Sequence, residues 1–136
     1  MKKTILSILV VLLLSFVLAG CVDEEPADPA DLSAEAIKAV EGYGWDSDDI
    51  PVPADTTFHG HYLHSVAGLF LVWKDADLAK YDAYKASFAA RAAFTRDDIV
   101  DIKGESGTIF FYPVASTDDG IDVPANSIVL NIKRRS

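Results

Sequence analysis

The chain has one thiol, Cys21, and it stands where an apolar stretch gives way to an acidic one. A lone cysteine cannot close an internal disulfide. Whatever folds downstream is therefore held by packing alone, without the staples common in small secreted domains. The next residues, 22–31, read VDEEPADPAD, with five acids, two prolines and little to bury. Such a segment is expected to stay disordered or extended, as a tether. Residues 32–136 remain, enough for one small domain with one core. No internal repeat and no second domain is evident. The expected organisation is a leader over 1–20, Cys21 with an acidic tether over 21–31, and a single domain over 32–136.

The leader has three parts. Met1, Lys2 and Lys3 make a positive start, residues 4–19 are almost wholly apolar, and the small residues Ala19 and Gly20 precede Cys21. That is the layout of a secretory signal peptide. A plain membrane-spanning anchor is the rival, and the apolar run sits at the lower edge of the roughly 17–25 residues that a span needs. The cysteine separates the two. Leu18-Ala19-Gly20-Cys21 resembles the lipobox of prokaryotic lipoproteins. The resemblance covers the leader only. It implies a diacylglyceryl group on the Cys21 sulfur, cleavage after Gly20, and a mature chain that begins at Cys21, often N-acylated (palmitate is a typical acyl group). Two acyl chains give stable attachment where one does not. Val22, rather than aspartate, follows the cysteine, so the resemblance favours the outer membrane in a cell with two membranes.

The full chain carries a net charge of −9, and losing Lys2 and Lys3 with the leader takes it to −11. That argues against nucleic acid as a partner, because binding it needs basic patches. It also argues against a domain lying flat on anionic lipid. Lys133, Arg134 and Arg135 read as a solvated tail, and the acidic excess mainly keeps an exported protein soluble.

Within the domain, Leu32, Ala36, Val40 and Tyr43 recur at helical spacing, with Asp31 or Ser33 as cap and Gly42 or Gly44 as stop. Residues 58–73 read as two strands around Gly68, the second containing LFLVW. Asp75 or Asp77 opens a second helix reaching to about residue 93, with Leu78, Tyr81, Tyr84, Phe88 and Ala92 as its apolar stripe. Lys85 falls within the apolar arc and is expected to snorkel. Residues 99–103 form a weak strand and 108–114 a stronger one. Residues 127–133 alternate, Ile128, Leu130 and Ile132 on one face and Val129, Asn131 and Lys133 on the other. Strands joined by short turns pair antiparallel. The expected fold class is α+β: a small antiparallel sheet with one or two helices packed on one face.

All three histidines, His59, His61 and His64, fall in FHGHYLH. Clustered histidine invites a zinc reading. On a regular strand His59 and His61 share a face about 7 Å apart, while His64 points to the other. Further ligands would have to come from distant acids, so a half-exposed polar strand face is preferred and no cofactor is expected. Asp46 and Asp48 in WDSDDIP, and Asp118, Asp119 and Asp122 around Gly120, form two acidic loops, 46–49 and 118–122, that raise calcium. Ile50 and Pro51 break the EF-hand spacing, and Asp-Gly is first a turn signal. Ser65 follows His64, but adjacency alone makes no triad, and there is no Gly-x-Ser-x-Gly, phosphate loop or dinucleotide fingerprint. Tyr43 and Trp45 read either as exposed contact residues or as a loop tucked over the core. The functional expectation is a non-catalytic lipoprotein, lipid-anchored outside a cell membrane, presenting its domain to an envelope protein partner. The alternative is a metal- or solute-binding lipoprotein that uses His59 and His61.

Overall fold

The computed structural model describes residues 28–89, 99–117 and 120–135. The leader, Cys21, residues 22–27, Arg91, Ala92, Asp118 and Asp119 lie outside them. Five strands form one antiparallel sheet: β1 Thr57–His64, β2 Gly68–Lys74, β3 Ile99–Ile102, β4 Glu105–Tyr112 and β5 Ser127–Ile132. Their spatial order is β1-β2-β5-β4-β3. The last strand therefore sits in the middle, where Leu130 pairs with Leu71 on one side and Ile109 on the other. Helices α1, Ala34–Gly42, and α2, Leu78–Ala89, contribute Ala36, Val40, Tyr81, Tyr84 and Phe88 to a single core with Leu69, Leu71, Trp73, Ile109, Ile128, Leu130 and Ile132. The architecture is α+β, with both helices on the same face.

Local chemistry explains the element ends. Ser33 caps α1, its Oγ accepting from the Ala36 N–H at 3.2 Å. Asp77 does the same for α2, its carboxylate accepting from the Lys80 N–H at 2.7 Å. Strands β3 and β4 are joined by Lys103 and Gly104 alone, both at positive φ, the twist that a two-residue hairpin requires. Gly68 opens β2 at φ +110°, and a Cβ there would run into the Ile132 carbonyl oxygen.

Several expectations need correction. The apolar stripe of α2 begins at Tyr81, because Leu78 is 60% exposed. Strand β5 keeps its alternation, Ile128, Leu130 and Ile132 in the helix-side core and Val129 in the cluster on the other face, so both of its faces are buried. On its second face Val123, from the chain between β4 and β5, packs on Val72 and Val129 among Tyr62, Phe70, Phe110 and Tyr112. The basic end is not a free tail. Trp45 is buried, its indole N–H donates to the Lys133 carbonyl at 2.8 Å, and the Arg135 N–H donates to the Tyr43 carbonyl at 2.8 Å. The Arg134 and Arg135 guanidinium groups lie over the rings of Tyr43 and Trp45.

The boundary at residue 31 also falls too late. Asp28 and Pro29 open a turn, with the Asp28 carboxylate accepting from the Ala30 N–H and its carbonyl from the Asp31 N–H, both at 2.9 Å. The Pro29 carbonyl accepts from the Phe58 N–H at 2.7 Å. Ala30 is 1% exposed, and its carbonyl accepts from the buried Trp73 indole N–H at 2.8 Å. Stranding a buried donor costs about 1–3 kcal/mol, and each kcal/mol moves the melting point of a domain of this size by about 4–8 °C. A chain starting at Asp31 is therefore expected to melt roughly 10 °C below one starting at Asp28, measured by circular dichroism. Equal melting temperatures would return residues 28–30 to the tether.

Candidate functional site

The histidines lie on β1, which is an edge strand. Phe58 pairs with Trp73, but Gly60 pairs with Val72, so the register slips by one residue at His59. This β-bulge reverses the expected alternation. His61 pairs with Leu71, and directly paired residues share a face, so His61 lies on the helix side of the sheet. His59 instead reaches the loop on the opposite side, its Nε2 3.4 Å from the Asp122 carboxylate. The expectation that His59 and His61 share a face does not hold. Glycine at position 60 was the only hint of the bulge in the sequence.

His64 has a structural task. Its Nδ1 accepts from the N–H groups of Val66 and Ala67, at 3.2 and 3.0 Å, and so closes the β1–β2 turn. That lone pair is engaged by the backbone and not by the neighbouring Ser65 hydroxyl. Asn131 braces the same turn, donating to the Ala67 carbonyl at 3.0 Å.

The acidic loops are likewise taken up locally. The Asp46 carboxylate accepts from the Asp48 N–H at 3.0 Å and caps the 3-10 turn Ser47–Asp49. Asp49 pairs with the Lys103 ammonium. In the second loop Asp122 turns to His59, while Asp118 and Asp119 lie outside the described residues. Among the described residues, no group of three or more His, Cys, Asp or Glu side chains is placed to hold a metal ion.

Two surfaces escaped the sequence reading. One is a cleft of about 400 Å³ between the loop over residues 51–55 and α2, lined by Pro51, Pro53, Lys80, Ala83, Tyr84 and Ser87. Its polar groups are already employed: Lys80 Nζ donates to the carbonyls of Asp55 and Asp75, at 2.8 and 2.9 Å, and the Tyr84 hydroxyl donates to the Pro51 carbonyl at 2.7 Å. The other is the aromatic rim of the second sheet face. There Tyr62 has its phenol pushed up by burial and then by the Asp122 carboxylate, against an opposing hydrogen bond from the Asp122 backbone. The cleft was invisible because prolines and acids at 51–55 read as loop. The rim was invisible because Phe110 and Tyr112 read as ordinary strand residues. No protein-family model, curated protein or solved structure matches this chain.

Tyr84 supplies a pH test. Burial pushes its phenol far above the ordinary value of about 10. Above pH 10 the unfolded chain releases this proton while the folded chain keeps it. The unfolded state then binds fewer protons, and stability falls as pH rises. The contribution is fully present below pH 10 and lost above it, at about 1.4 kcal/mol per pH unit. Tyr84→Phe is expected to flatten that part of the alkaline decline while costing about 1 kcal/mol at pH 7 for the lost hydrogen bond. Denaturant melts between pH 7 and 11 measure both. An unchanged alkaline slope in the variant would show that the buried phenol is not its source.

Proposed function

We propose that this protein is an exported lipoprotein, held on a membrane through acylated Cys21, whose α+β domain is a non-catalytic binding module for a protein partner in the cell envelope. The observation that carries the reading is the Leu18-Ala19-Gly20-Cys21 tetrad closing an apolar leader. One feature of the domain supports it: the packed part of the chain starts close to the anchor. The seven residue steps from Cys21 to Asp28 span at most about 25 Å.

That short connection implies an orientation. Pro29 is bonded to Phe58 at the start of β1, so the anchored end of the sheet is the one where β1 begins and β2 ends. The β1–β2 turn is then the far end. It carries Val66, 84% exposed, with Leu63, 63% exposed, beside it on β1. This turn is the part of the domain best placed to meet a partner.

The anchor is tested with the full chain carrying Cys21→Ser, expressed with labelled fatty acid. The variant is expected to take up no label and to keep its leader, whereas the parent chain is labelled and shortened. Normal labelling and processing of the Ser variant would remove the lipoprotein reading.

A further inference from the structure

We infer that His64 makes the β1–β2 turn sensitive to pH: the neutral imidazole holds the turn closed, and protonation at Nδ1 releases it. The N–H groups of Val66 and Ala67 converge on one nitrogen, His64 Nδ1, at 3.2 and 3.0 Å. A backbone N–H only donates, so Nδ1 must offer its lone pair, and the proton of the neutral ring sits on Nε2. A second proton on the ring has only Nδ1 to go to. There it removes the acceptor and points a third donor at two others. The side-chain oxygen of Asn or Asp closes such a turn without depending on an imidazole proton. Histidine does so only while it is uncharged.

The groups around the turn offer an imidazolium no replacement contact. His64 pairs with Gly68 and lies on the same sheet face as Tyr62, which pairs with Phe70. The Tyr62 phenol, pushed up by burial and then by Asp122, stays uncharged through the histidine range. Residues 56–73 hold no Asp, Glu, Lys or Arg. From β5, Asn131 donates to the Ala67 carbonyl and does not titrate. Lys133, whose backbone lies against Gly68, is a cation and provides no counter-charge. From the chain between β4 and β5, Asp122 turns to His59, near the other end of β1. Helix α1, with Glu35, Lys38 and Glu41, packs on the opposite face, where His61 also lies.

Mass action bounds the effect. An imidazole free of such contacts titrates at about 6.5. At pH 5, a proton that binds the open turn and not the closed one favours opening by about thirtyfold relative to pH 8. The closed turn is therefore held at neutral pH and released as the pH falls through the histidine range. The switch belongs to the hairpin and depends neither on the anchor at Cys21 nor on a partner.

The test uses the full chain, isotopically labelled, in detergent micelles. Long-range nitrogen–proton NMR at pH 8 is expected to show His64 Nδ1 bare and Nε2 protonated. Between pH 8 and pH 5 the Val66 and Ala67 amides are expected to lose roughly tenfold or more in protection, after correction for the pH dependence of exchange itself, while the β5 amides stay protected. His64→Asn supplies an oxygen acceptor that does not titrate. Its protection at Val66 and Ala67, whatever the level, is expected to be equal at the two pH values. A proton on Nδ1 at pH 8, protection of the parent chain unchanged at pH 5, an equal loss in His64→Asn, or a loss shared by the β5 amides would each overturn the switch.

Discussion

The fold is organised around the Trp73 side chain. Its ring is fully buried on the helix side of the sheet, with Phe58 edge-on at 5.8 Å and Tyr84 at 5.8 Å, and Phe88 packs on Tyr84 in turn at 5.1 Å. Its indole N–H leaves that apolar cluster to meet the carbonyl of Ala30. One residue thus joins β1, β2, α2 and the segment that leads back toward Cys21. Truncating a buried tryptophan typically costs about 3–5 kcal/mol, a large share of the 5–15 kcal/mol that holds most domains folded. Without a disulfide in the domain, this cluster does work that cross-links do in many small exported proteins.

The second face of the sheet follows from the same topology. A central strand between two others has no free edge, so β5 is exposed only through its faces. The helices cover one face, and Val123 and Ile121, from the chain between β4 and β5, pack on the other. The loop is closed on itself by the Ser116–Val123 pair of backbone hydrogen bonds, and Val123 is 3% exposed. At the far end of the sheet, the chain beyond β5 docks on Tyr43 and Trp45, and Gly44 permits this at φ +84°, with Arg135 against its α-carbon. Among the described residues the sheet ends in two edge strands, β1 and β3, and the β1–β2 turn carries the exposed Val66 with Leu63 beside it.

Much of this was legible in the residues. Hairpin β1–β2, the capped helices, and the strand character of LFLVW and of residues 127–132 follow from periodicity and turn chemistry, and with them the α+β class. The misses share a cause: tertiary contacts that local pattern does not encode. Acids and prolines at 28–31 looked like tether because Ala30 is small and its partner, Trp73, is 43 residues away. Lys133, Arg134 and Arg135 looked solvated because their partners, the Trp45 indole N–H for the Lys133 carbonyl and the Tyr43 and Trp45 rings for the two arginines, come from just after α1. His59 and His61 looked co-facial because strict alternation holds only on an unbroken strand, and the bulge lies between Phe58 and Gly60. Asp28-Pro29 was a turn signal in plain view, and reading it as such would have moved the domain boundary by four residues, from 32 to 28.

Hydrogen exchange at the Trp73 indole N–H tests the central claim most directly. If the Ala30 contact is part of the cooperative core, this proton exchanges only when the whole domain opens, with protection matching the slowest amides of β5. That is the predicted result in two-dimensional NMR of the folded protein. Exchange orders of magnitude faster than the β5 amides, with the rest of the sheet still protected, would mean that the segment before α1 detaches on its own. The core would then not depend on it.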